Sequence, residues 1–208
     1  PTVSILMTVY NGGKFLKQAI NSLLAQSFTD FELIIIENGS YDSSRETIRS
    51  FDDPRFRVFE FDKNIGRTSA LIMAFQKARG KLVAVQDADD IALPQKLEYQ
   101  VCYLEEHPDV VLLGTQLDFI DENGKIVGVF ETPYTSKEAY QTLAYTNIIA
   151  HSSAIYRRDQ AIKAGGYSEK YVFAQDFGLW IQLAKLGNIA VLPKNLTQIR
   201  QHGGSLTD

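Results

Sequence analysis

The sequence predicts an α/β fold, a mainly parallel central sheet with helices on both faces. Three observations lead there. Short apolar runs alternate with helical patterns through the first half of the chain. The run Phe31-Glu32-Leu33-Ile34-Ile35-Ile36 is apolar at every position beyond Glu32, which marks a strand covered on both faces. The polar segments that could carry chemistry follow directly on strand ends, where sheets of this kind bind ligands.

Taken in order, Val3 to Val9 reads as a strand. Phe15, Ala19, Leu23 and Leu16, Ile20, Leu24 then recur every four residues, as one face of a helix requires. The Phe31 run is the second strand. A short helix over about 42–50 and a strand from Phe56 to Glu60 follow. Ala70, Leu71, Ala74, Phe75 and Ala78 mark a helix that Gly80 stops. Leu82 to Val85 is a fourth strand. Pro94 suits the first turn of a helix carrying Leu97, Val101 and Leu104. Val110 to Leu117 and Lys125 to Phe130 read as strands joined by a hairpin turn at Asn123-Gly124. A helix over about 136–145, a strand over about 152–157 and a helix over about 176–186 complete the pattern. No repeat, low-complexity tract or linker interrupts it, so the sequence predicts one domain over residues 1–208, with a ligand-binding half at 1–90 and a second half at 91–208.

A chain of 208 residues buries roughly 70% of its unfolded surface. Its composition, 45% hydrophobic and 22% charged, is that of an ordinary globular protein. A net charge of −4 argues against a broad nucleic-acid-binding face. The single cysteine, Cys102, excludes an internal disulfide, fits a reducing compartment and reads as a buried thiol. No stretch approaches the ~20 apolar residues of a membrane span. Pro1-Thr2-Val3-Ser4 leads straight into a strand, and Gly203-Gly204-Ser205-Leu206-Thr207-Asp208 does not look like a natural terminus. The expectation is a domain cut from a longer chain.

Three segments could do chemistry. Asp87-Ala88-Asp89-Asp90 follows the fourth strand, and Asp87 and Asp89, two apart in extended chain, share a face. Paired carboxylates suit Mg²⁺ or Mn²⁺ together with substrate phosphates; the alternative is a solvated acidic turn or a helix N-cap. Glu37-Asn38-Gly39-Ser40 ends the second strand and offers a carboxylate and an amide to a base or ribose, or else forms a plain polar turn. Asp176 shares a helix face with Trp180 and Leu183. Held against apolar surface, it could serve as a general base; on spacing alone, complementing the helix dipole is the better reading. Arg67 opens the third main helix and is either a surface charge or a phosphate contact. His107 reads as structural, whereas His151 and His202 lie in polar segments that could face a site. No G-x-G-x-x-G, Walker loop or H-E-x-x-H motif is present.

These segments together resemble family 2 glycosyltransferases of the GT-A fold, a Rossmann-like, mixed but mainly parallel sheet. The resemblance rests on Val3-Ser4-Ile5-Leu6-Met7-Thr8-Val9-Tyr10-Asn11, Glu37-Asn38-Gly39-Ser40-Tyr41-Asp42, Asn64-Ile65-Gly66 and Asp87-Ala88-Asp89-Asp90, then Gly165-Gly166-Tyr167, Gln175-Asp176 with Leu179-Trp180, and Arg200-Gln201-His202. It implies that Thr8, Tyr10, Glu37, Asn38 and Arg67 line a nucleoside pocket and that Asp87 approaches the ribose. Asp89 of the D-x-D motif would bind metal and diphosphate, with His202 as a further metal ligand or a diphosphate contact. Asp176 would be the base, and His151 and Trp180 would lie on the acceptor side.

The implied reaction is inverting, Mn²⁺- or Mg²⁺-dependent transfer of a sugar from a nucleotide diphosphate sugar, UDP by prior. The implied acceptor is a sugar, glycolipid or polysaccharide hydroxyl, and the implied setting is the cytoplasm or the cytoplasmic face of a membrane. Glu37-Asn38 stands where the family often has two acids, Gln175 replaces a common Glu, and Gln182 stands where an Arg often follows Leu-Trp. No Q-x-x-R-W pattern occurs, which favours single-sugar addition over processive synthesis. The rival readings are a non-catalytic nucleotide-sugar-binding domain and a sugar-nucleotide pyrophosphorylase. The latter calls for a Gly-rich loop with Arg and Lys where this chain has Tyr10-Asn11-Gly12-Gly13-Lys14.

Overall fold

A computed structural model describes residues 1–130, 132, 136–171 and 174–203. The end of the terminal segment weighed above, 204–208, lies outside the described residues. Strands β1 (Val3–Val9) and β2 (Phe31–Asn38) flank a 3₁₀ turn and helix α1 (Leu16–Leu24). Helix α2 (Ser44–Arg49), β3 (Phe56–Phe61), α3 (Arg67–Lys77) and β4 (Leu82–Val85) follow. After the two-residue β5 (Ile91–Ala92) come α4 (Lys96–Glu106), β6 (Val110–Ile120), β7 (Ile126–Phe130) and α5 (Ser136–Leu143). A 3₁₀ turn at His151–Ser153 leads into β8 (Ile155–Arg157), α6 (Arg158–Lys163), α7 (Gln175–Leu183) and β9 (Asn188–Arg200).

Among the described residues the strands form one sheet in the order β3-β2-β1-β4-β8-β6-β9-β5, with β7 paired on β6. β1 to β4 run parallel, β8 is antiparallel to both β4 and β6, and β9 runs parallel to β6. The direction of chain progression reverses between β1 and β4, which opens a crevice at their carboxyl ends. Alternation in β2 sends Leu33 and Ile35 into a cluster with α1 and α4, and Ile34 and Ile36 into a second cluster with α3 and α7. Both faces are covered, which is why the run carries no polar alternation.

The second half departs from the sequence reading. β9, thirteen residues long, was not predicted; nor were α6 and β5. Pro193 has no amide hydrogen for a ladder, and the β6–β9 register jumps from Thr115↔Leu192 to Gln116↔Asn195. The bulge breaks the period-2 signal a strand would show. Residues 152 and 153, read as strand, belong to the 3₁₀ turn His151–Ser153. Cys102, expected to be buried, is exposed on α4, one position beyond the inward-facing Val101.

Opposite the crevice, Glu32 ties the amino ends of four strands. It is 3% exposed and accepts hydrogen bonds from Ser4 Oγ at 2.6 Å, Arg57 Nη1 at 2.8 Å and Arg79 Nη2 at 2.7 Å. Burial opposes its charge, but these donors prevail and bring its pKa down to about 2. Stability drawn from ionised Glu32 is therefore complete above the ordinary pKa of 4.5 and is lost as pH falls toward about 2. Glu32→Gln should destabilise the protein by about 1–3 kcal/mol at pH 7. It should also flatten the pH dependence of denaturant midpoints below pH 4.5; an unchanged acid profile would refute the assignment.

Candidate active site

The crevice is lined by the segments that follow β1, β2 and β4, three neighbours in the sheet. Thr8 is half-buried near the end of β1, and Tyr10 just beyond it is 46% exposed. Asn11 takes the left-handed conformation at φ 53°, which asparagine tolerates better than most residues. It stitches the first two loops together: its amide donates to Ser40 Oγ at 3.0 Å and its Oδ1 accepts from the Tyr41 amide at 3.0 Å. The Tyr10 and Tyr41 rings consequently stand edge to face with centroids 6.1 Å apart, both open to solvent.

Glu37 and Asn38, expected to line a nucleoside pocket, are both buried. Glu37 is fully buried, with Oε1 accepting from the Ser40 amide at 2.6 Å and Oε2 from Arg45 at 2.7 Å. Burial works against its charge, but Ser40 and Arg45 outweigh burial and lower its pKa. Asn38, 2% exposed, donates to Asn64 Oδ1 at 3.0 Å and accepts from the Ile65 amide at 2.9 Å, and so holds the loop that starts α3. Between them Gly39, at φ +74°, passes so close that a Cβ would sit 2.4 Å from the Lys63 carbonyl carbon. Both side chains brace the loops that shape the crevice.

Asp87 and Asp89 do not point at a single partner. Asp87 accepts from Arg67 Nη2 at 2.9 Å, and its amide donates to Ser152 Oγ at 3.0 Å. Burial disfavours its charge, yet Arg67 and then His151 hold its pKa well below the usual carboxylate range. His151 is buried, with Nδ1 3.2 Å from Asp87 Oδ1 and Nε2 3.4 Å from the Tyr167 hydroxyl, which in turn accepts from Tyr156 at 3.2 Å. A carboxylate only accepts, so Nδ1 is the donor toward Asp87. His151, expected on the acceptor side, thus backs the Asp87 carboxylate.

Trp180, expected beside it, is fully buried. The turn of α7 points it inward, and its indole donates to the Ile149 carbonyl at 3.0 Å. Asp176 stands half-buried in the first turn of α7, accepting from Asn147 Nδ2 at 2.9 Å. Arg67 is held still more firmly protonated by Asp87 first, against the effect of burial, and then by the charges of Asp176 and Asp89.

Asp89 Oδ2 lies 3.0 Å from His202 Nε2. Carboxylate and imidazole are an oxygen-and-nitrogen donor set that fits a hard divalent cation, with the imidazole favouring Mn²⁺ over Mg²⁺. Among the described residues no group of three or more His, Cys, Asp or Glu gathers to hold a metal. A cation here would need phosphate oxygens to complete its shell. Sequence reasoning left Asp90 without a role of its own. Asp90 is 4% exposed, accepts from Ser152 Oγ and from the Arg200 amide, and is pushed up to about 8 by burial and then by repulsion from Asp87 and Asp89. Its place as the third acid of the motif was the available signal.

No helix among the described residues is long and apolar enough to cross a membrane. The chain superposes on S. aureus TarS 1–349 in complex with UDP-GlcNAc with a TM-score of 0.83 at 20% identity, covering 99% of this chain and 60% of that one. Against the mannosyltransferase PcManGT of Pyrobaculum calidifontis in complex with GDP-Man and Mn²⁺ the TM-score is 0.73 at 18% identity, covering 100% of this chain and 58% of that one. These likenesses show the GT-A fold. An uncharacterized glycosyltransferase of Methanocaldococcus jannaschii is 36% identical over 187 residues, 88% of this chain and 64% of the relative. The amylovoran biosynthesis glycosyltransferase AmsE of Erwinia amylovora is 30% identical over 202 residues, 95% of this chain and 75% of the relative. The chain thus spans about two thirds to three quarters of these relatives' length. The model of glycosyl transferase family 2 matches residues 4–165, and on that match and these identities the chain belongs to glycosyl transferase family 2.

Proposed function

We propose that this domain transfers a sugar, with inversion, from a nucleotide diphosphate sugar to an acceptor hydroxyl during assembly of a polysaccharide or glycolipid. The observation that carries the reading is the pair of carboxylates directly after β4, beside the switch between β1 and β4: Asp87 held by Arg67 and His151, and Asp89 facing His202. It gains support from the ligands named for solved relatives of the same fold, UDP-GlcNAc and GDP-Man, and from relatives named for amylovoran and O-antigen biosynthesis. UDP is the nucleotide proposed.

In this reading residues 1–90 bind the donor and 91–208 the acceptor. Thr8 and Tyr10 receive the nucleoside, on loops braced by Glu37 and Asn38. Asp87, oriented by Arg67 and His151, accepts the ribose hydroxyls. Asp89 and His202 hold Mn²⁺ or Mg²⁺ with the diphosphate. The ion supplies positive charge opposite the negative charge that grows on the departing diphosphate. Asp176, held by Asn147, takes the proton of the acceptor hydroxyl as its oxygen attacks the anomeric carbon opposite the leaving group. One base suffices for this displacement, whereas glycoside hydrolysis needs two carboxylates flanking the bond.

Two measurements test the reading. Melting temperature should rise by roughly 5–10 °C with one nucleoside diphosphate at about 100 times its Kd, provided Mn²⁺ is present, and should not rise with EDTA or in Asp89→Ala. No rise with UDP, GDP, dTDP or CMP would sink the donor site. Asp176→Asn should lower donor turnover by about 10²–10⁴-fold while leaving the nucleotide-dependent rise in place. Undiminished turnover would exclude Asp176 as the base, and absence of turnover in the wild type with binding intact would favour a non-catalytic binding domain.

A further inference from the structure

Arg200 closes β9 two residues before His202, and the donor-site reading leaves it without a part. It is 2% exposed, and its guanidinium serves three distant segments. Nε donates to the Asp89 carbonyl at 3.0 Å, Nη1 to the Asp121 carbonyl at 2.9 Å and Nη2 to Gln18 Oε1 at 2.9 Å. The guanidinium also lies 4.5 Å from the centroid of the Phe15 ring, and the same ring lies 4.9 Å from the His202 imidazole. Its amide donates to Asp90 Oδ1 at 2.9 Å, and Asp90 in turn accepts from Ser152 Oγ, the group that receives the Asp87 amide.

We propose that Arg200 is a positioning residue for the metal-binding pair, fixing Asp89 from its carbonyl side and His202 through Phe15 and the end of β9. This rests on the reading of Asp89 and His202 as metal ligands. The planar fork is what the arrangement demands. Five donors in fixed directions can serve a carbonyl on one loop, a carbonyl on another and a side-chain amide on α1 at once, whereas an ammonium on a flexible stem cannot match all three. Asp89 and His202 are 113 residues apart in sequence, so their 3.0 Å approach depends on whatever ties the end of β9 to the Asp89 loop. Partners one step out from a metal typically set about 10–100-fold of its affinity.

The test is Mn²⁺ binding in the presence of UDP, read from the loss of the free aqueous Mn²⁺ resonance, on wild type, Arg200→Lys, Gln18→Ala and Asp89→Ala. Melting temperatures without metal are measured alongside. Arg200→Lys should bind Mn²⁺ about 10–100-fold more weakly, Gln18→Ala should move the same way by less, and Asp89→Ala should abolish binding. A purely structural role would lower the melting temperature of Arg200→Lys and leave the Mn²⁺ affinity of the folded protein unchanged, which would overturn the proposal. Should Arg200→Lys fail to fold, an unchanged affinity in Gln18→Ala, which alters only an exposed acceptor of the fork, overturns it. A wild type that binds no Mn²⁺, or an Asp89→Ala that binds normally, would instead overturn the metal-site reading beneath it.

Discussion

Three carboxylates within four residues, Asp87, Asp89 and Asp90, set the terms for the rest of the molecule. Like charges this close cannot all remain ionised and partly buried without compensation. The fold meets each differently. Asp87 receives Arg67 and His151, Asp89 receives His202, and Asp90 is buried and retains its proton to about pH 8. Beneath them Lys96, 1% exposed, donates to the Ser152 carbonyl, and burial draws its pKa down to about 8. Four elements contribute to this compensation: α3 brings Arg67, the 3₁₀ turn brings His151 and Ser152, α4 brings Lys96, and β9 brings Arg200 and leads into His202.

Such a cluster is poor for stability and suited to a ligand that alternates charge, as a metal–diphosphate does. The two ends of the parallel strands divide these demands. At the amino ends Glu32 is surrounded by arginines and serves only to hold strands together. At the carboxyl ends Asp89 and Asp176 remain half-exposed, facing His202 and Asn147 respectively. The same residue type is structural at one end and available for chemistry at the other, and the difference lies in how many donors reach it.

The first half of the fold was legible because its signals are local. β1 and β4 have the bounds read from hydropathy, and the strand-end motifs fall on the crevice as the alternation requires. β9 was not legible because Pro193 and the register jump beside it break the alternation that identifies a strand. The burial of Glu37 and Asn38 could not be read either, since it depends on Arg45 and Asn64, eight and twenty-six residues away. Trp180 is the opposite case. Its helical spacing with Leu183 already pointed inward, and only the resemblance to a family moved it toward the acceptor.

The pairing of β6 with β9 carries a further consequence, for the order in which the molecule folds. The pairing of β1 with β2 joins residues 28 apart, whereas the His202–Asp89 approach joins residues 113 apart. Loop-closure entropy rises with that span, so native pairings distant in sequence are generally made late. The β1–β2 pairing is therefore favoured early, and the imidazole arrives only when β9 docks in register against β6 and β5. The Asp89–His202 pair is then among the last features the folding chain completes, and a chain with β9 out of register lacks it.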